Sequence, residues 1–138
     1  MKRFESKKDS WVVYFLAGTL AVVVALVYLV PSEKEIPFIV HIILAASFGL
    51  IFWMYMNTFT LVENNLLTHQ CGPIKWKVPV DKIKKIKRKS TSMINHGTWS
   101  SDKIDIIYQL GSSLSIAPAD KEGLIEYLVS KNGEIEVI

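Results

Sequence analysis

Residues 11–30 form a run of 20 positions without a single charge. A helix of that length rises about 30 Å, which matches the hydrocarbon core of a bilayer. A second uncharged run, counting His41 as neutral, extends over residues 36–62, and roughly its first 20 residues suffice to cross. The pattern therefore predicts transmembrane helices over 11–30 and 36–56. Only Pro31-Ser32-Glu33-Lys34-Glu35 lies between them, so the helices are expected to be antiparallel neighbours in a hairpin. Trp11, Tyr14 and Tyr28 flank the first span, and Trp53 and Tyr55 sit near the end of the second, where amphipathic rings favour the membrane interface. A cleaved signal peptide would carry a shorter apolar run and a small-x-small site. Here the run ends in Tyr28-Leu29-Val30-Pro31.

After Met56 the period changes from all-apolar to alternating. Residues 57–63 read as a strand, Asn64-Asn65 as a two-residue turn, and 66–71 as the returning strand, ended by Gly72-Pro73. Ile74, Trp76, Val78 and Val80 alternate with Lys75, Lys77 and Pro79, a half-buried strand whose proline argues for an edge or a bulge. Ile83 and Ile86 are three apart, so a helical turn or bulge is expected before the next strand. Residues 91–100 read as a polar loop. Ile104, Ile106 and Tyr108 mark another strand, turned by Gly111-Ser112-Ser113 into Leu114-Ser115-Ile116. Pro118 suits a first helical position, and Leu124, Ile125, Tyr127 and Leu128 form an apolar stripe that stops at Asn132-Gly133. The tail 134–138 is expected to add a short strand. The predicted fold is thus a membrane α-hairpin plus an α+β domain: two transmembrane helices, then a β-barrel or sandwich closed by a C-terminal helix.

Charge settles which side the domain occupies. Residues 1–10 carry net +2 and the link between the spans net −1, whereas residues 75–89 hold seven lysines and Arg88 against Asp81, net +7. Lys and Arg are retained in the cytoplasm. A cytoplasmic basic N-terminus (1–10), a helix hairpin (11–56) and a cytoplasmic domain (57–138) follow, placing the chain in the plasma membrane with both termini inside. The basic run Lys82, Lys84, Lys85, Lys87, Arg88 and Lys89 is the candidate binding patch for the anionic inner leaflet or a protein partner, each cation being worth about 1 kcal/mol near such a surface. A solvated face that only enforces topology is the other reading of the same run. Nucleic acid is not expected, because Trp99 and Arg88 are isolated as readers.

Ala17, Ala21 and Ala25 on the first span, and Ala45 and Gly49 on the second, recur every four residues and are candidate helix-packing positions, within the hairpin or in a homo-oligomer. His41 lies inside the second span. Ionisable groups there are functional candidates by default, but neither span holds a carboxylate that would complete a relay. His69, Cys71 and His96 are the soft-metal ligands of the domain, one short of a closed zinc site. No Gly-rich phosphate loop, Gly-x-Ser-x-Gly elbow or His-Glu-x-x-His pair is present. Neither catalysis nor a metal or cofactor is expected. The lone cysteine fits a reducing compartment.

The stretch from Thr58-Phe59-Thr60-Leu61 through Gly72, Lys82-Ile83-Lys84-Lys85-Ile86, residues 101–108 and residues 114–120 resembles the bacterial PH-domain family of small membrane proteins, which similarly carry a helix hairpin before the domain. That resemblance implies a PH-like barrel acting as an interaction module. It also extends to the sublancin immunity group, whose members protect a producing cell against antimicrobial peptides. It therefore suggests immunity or envelope stress as a role, with an antimicrobial peptide as a partner. The alternative is an accessory subunit of a transporter or other membrane complex.

Overall fold

The computed structural model describes residues 1–29, 37–93 and 95–138. The link between the two spans, with Val30 and Ile36 at their outer ends, lies outside the described residues, as does Ile94. Strand β1 (Lys2–Glu5) is followed by helices α1 (Ser10–Leu29) and α2 (Phe38–Met56). Then come β2 (Thr58–Glu63), β3 (Leu66–Cys71), β4 (Ile74–Pro79), a 3₁₀ turn (Val80–Lys82), β5 (Ile83–Lys87), β6 (Ile104–Tyr108), β7 (Ser112–Ile116), α3 (Lys121–Lys131) and β8 (Glu136–Val137).

Both long helices are apolar on every face, and no residue of α2 and only Val12 of α1 is buried. They run antiparallel. The Tyr28 ring lies 5.8 Å from His41 at one end, and Val13 and Tyr55 face one shared gap at the other. Each is long and apolar enough to cross a membrane.

The N-terminal residues, expected as a basic tail, form a strand instead. β1 pairs antiparallel with β2 from Lys2↔Val62 to Glu5↔Phe59. Phe4 is buried in the core between exposed Arg3 and Glu5, an alternation too short to stand out in the sequence. The helical hairpin is therefore inserted between two paired strands of one sheet.

The sheet runs β1-β2-β3-β4 and a second runs β7-β6-β5-β8. Asn64 and Asn65 take the positive φ values of +47° and +62° that the two-residue β2–β3 turn demands. Pro79 closes β4, which is a sheet edge as its proline required. The Ile83/Ile86 spacing resolves into both expected devices: a 3₁₀ turn, then a bulge between Ile83 and Lys85. The expected barrel is not closed. The two sheets are joined at one seam, where Lys7 N–H donates to the Ala117 carbonyl (2.7 Å) and Ala119 N–H to that of Glu5 (2.8 Å). No ladder joins β4 to the second sheet among the described residues, so the domain is a sandwich.

α3 begins later than its proline suggested. Asp120 is the N-cap, accepting from the Gly123 N–H at 2.9 Å, while Pro118 bridges to Ser6. A side-chain acceptor outcompetes proline as a start signal because it satisfies an orphan helix donor. Leu124, Ile125 and Leu128 close the core over Leu67, Val78, Ile83, Ile86, Ile106 and Leu114. The end of the sandwich where the helices attach is called the near end here, and the opposite one, with Asn64-Asn65 and Gln109–Gly111, the far end.

Candidate functional site

β5 runs along the sandwich axis and separates the basic run into two groups. Its first residue pairs with Tyr108 and its last with Asp105, next to Lys103 and the loop that meets α1. Lys82 and Lys84 therefore lie at the far end, beside Gln109 and Glu134. Lys87, Arg88 and Lys89 lie at the near end. The four steps from the first to the last residue of β5 span about 13 Å, more than a Debye length of about 8 Å, so the two ends of this run of six cations are largely screened from each other. Two are already paired: Lys85 with Glu136 at 2.9 Å, and Arg88 with Glu122. Lys87 and Lys89 carry no ion pair among the described residues.

Other cations reach the near end from elsewhere in the chain. Lys8 donates to the Met56 carbonyl (3.3 Å) and lies 5.1 Å from the centre of the Tyr55 ring, a cation at the negative end of α2. Asp102 bridges Lys121 (2.5 Å) and Lys7 (2.9 Å). The Lys121 and Lys7 ammonium groups hold the Asp102 carboxyl below the usual carboxylate range, and Asp102 in turn raises Lys7. Asp9, just before α1, accepts from the Ser101 N–H (3.0 Å) and the Ser100 hydroxyl (2.8 Å), and these donors lower its pKa. This network ties the N-terminal segment to residues some 90 positions away, and no local pattern announced it.

The interior at the near end is polar. The Thr58 hydroxyl donates to the Met54 carbonyl (2.6 Å) and accepts from the Trp99 indole N–H (2.9 Å). His69 is fully buried. Its Nε2–H donates to the His96 carbonyl (3.0 Å), which leaves Nδ1 to accept from the Thr60 hydroxyl (3.0 Å). His96 Nδ1 accepts from the Ser115 N–H (3.1 Å). Burial pushes His69 down to about 4 and also lowers His96, with Lys103 adding to the effect on His96 and Asp105 opposing it. Gly97, at φ +72°, sits so close to Cys71 that a Cβ would lie 2.6 Å from its sulfur. His69, Cys71 and His96 do not form a metal-binding group among the described residues; both His69 nitrogens and His96 Nδ1 are engaged in holding the loop in place.

The small-residue positions are divided between surfaces. Ala17 and Gly49 line a cavity of about 410 Å³ between α1 and α2, and Ala45 lines a second of about 390 Å³. Ala21 and Ala25 line neither. The half-buried positions of α2 are mostly large, among them Leu44, Phe48, Ile51 and Tyr55, so bulky side chains hold the helices apart. His41 borders the second cavity, its buried Nδ1 without a hydrogen-bond partner among the described residues.

A protein-family model described as a bacterial PH domain matches residues 57–132, more than half of the chain. The chain belongs to the bacterial PH domain family. PH domains are in general non-catalytic interaction modules that bind lipids or proteins. The matched stretch begins at the foot of α2, so β1 and the hairpin lie outside it, although β1 completes the first sheet. No curated protein and no solved structure matches the chain.

Proposed function

We propose that this bacterial PH domain is a membrane-tethered, non-catalytic interaction module, with its helical hairpin inserted in the plasma membrane and its near end resting on the anionic inner leaflet. The β1–β2 ladder carries this reading. Because the strands before α1 and after α2 pair with each other, the chain must return to the side from which it left. Charge asymmetry makes that side the cytoplasm. The near-end cations Lys87 and Lys89 then face the leaflet, where each contributes about 1 kcal/mol.

The test uses the full chain in nanodiscs. Amide exchange over residues 87–90 should be slower in phosphatidylglycerol than in phosphatidylcholine discs, and Lys87→Glu with Lys89→Glu should erase the difference. Equal exchange in the two lipids for the unaltered chain would retire the leaflet contact. Immunity to antimicrobial peptides or a part in envelope stress is a finer reading, supported by the resemblance alone. Raised tolerance of a sensitive cell expressing the chain tests the immunity reading, and unchanged tolerance across a peptide panel counts against it. An accessory-subunit role draws support from the apolar gap between α1 and α2, which a partner helix would fill. Copurification with one defined larger membrane protein is its expected sign, and a clean monomer or homodimer argues the opposite.

A further inference from the structure

A cleft of about 400 Å³ lies between the first two turns of α1 and the loop after β5, lined by Trp11, Phe15 and Leu16 on one side and Asn95, Ser101 and Lys103 on the other. Its two walls differ in polarity. The rings of Trp11 and Phe15 are 59% and 62% exposed and belong to the segment that enters hydrocarbon. The opposite wall also holds Thr98, Trp99 and Ser100, and every polar side chain on it except Lys103 is already committed: the Trp99 N–H donates to Thr58 and the Ser100 hydroxyl to Asp9. Asn95 bonds Thr98 within the loop, and the Ser101 hydroxyl donates to Asp9. Lys103 is the remaining donor and carries no ion pair among the described residues.

Of the acidic groups nearby, Asp102 is offset by Lys7 and Lys121, while Asp9 keeps its charge and accepts from the neutral donors of Ser100 and Ser101 rather than from Lys103. Two positions before Asn95 the same loop presents Met93 at 99% exposure, a large apolar side chain that costs less in lipid than in water. An ammonium on one wall, apolar rings on the other and an exposed methionine in the same loop match a molecule with a phosphate head and an acyl tail.

We infer that this cleft binds one anionic phospholipid of the inner leaflet, its phosphate at Lys103 and the root of an acyl chain along Phe15 and Leu16. The inference rests on the membrane placement proposed above but on different cations, so the two separate cleanly. Native mass spectrometry of the full chain in mild non-ionic detergent, titrated with phosphatidylglycerol or phosphatidylcholine, reads the site. The first phosphatidylglycerol adduct should be favoured about fivefold, the effect expected of one cation. Lys103→Gln should remove that preference and Lys103→Arg keep it, with thermal melts confirming that both variants fold. Lys87→Gln with Lys89→Gln should leave the first adduct unchanged while weakening the nanodisc contact. Equal retention of the two lipids, a preference that survives Lys103→Gln, or one lost with the Lys87 and Lys89 substitutions would overturn the assignment.

Discussion

The two ends of the sandwich are built by different chemistry. At the far end the interior is aliphatic, with Val62, Leu67 and Val78 of one sheet meeting Ile83, Ile106 and Leu114 of the other, and the connections are tight turns. At the near end the inward positions of the same strands are Thr58, Thr60, His69 and Cys71, and a loop fills the space. Apolar burial is non-directional and tolerates repacking, whereas a buried polar group must find a particular partner. The far end therefore supplies stability. The near end fixes one geometry where the domain joins its helices.

Substitutions should separate the two ends, starting with the far core. Leu67→Ala leaves a cavity at a fully buried position and should cost about 2–5 kcal/mol, measured by denaturant unfolding of the full chain in micelles. A cost under about 1 kcal/mol would mean that this core does not carry the fold.

Acid should act on the near end. Neutral His69 is favoured in the folded state, with its pKa lowered from 6.5 to about 4. Its contribution is complete above pH 6.5 and is lost as pH falls from there toward 4, about 3 kcal/mol in all. His69→Gln should flatten that part of the pH–stability profile, and an unchanged slope would contradict the assignment.

Gly97→Ala should cost about 1–3 kcal/mol, because a Cβ there meets Cys71 in a backbone conformation that L-residues avoid. The loop itself should report the change, through faster modification of Cys71 by a thiol reagent. At the small end of the scale, Lys82→Glu with Lys84→Glu should change stability by less than about 0.5 kcal/mol. It should also leave the nanodisc exchange at residues 87–90 as it was. A large loss of protection would return the six cations to one patch.

The same division decides what could be read from the residues alone. Far-end features are local: the Asn64-Asn65 turn, the Pro79 edge, the bulge after Ile83 and the stop at Asn132 each announce themselves within a few positions. Near-end features are pairings across the chain. Asp9 meets Ser101, Lys7 meets Asp102, Trp99 meets Thr58, and β1 meets β2 across two helices. A four-residue strand with one inward aromatic has no period to detect. The basic run shows the converse: it is contiguous in sequence, but an extended strand carries it from one end of the domain to the other.

The β1–β2 pairing across the hairpin is tested most directly by single cysteines and a membrane-impermeant maleimide on intact cells. Cys71 is buried under Gly97 and should stay silent. Lys2→Cys and Leu110→Cys should be labelled only after permeabilisation, and Ser32→Cys, in the link between the helices, before it. If positions 2 and 110 were labelled from opposite sides, the strands could not share a sheet and the account would fail.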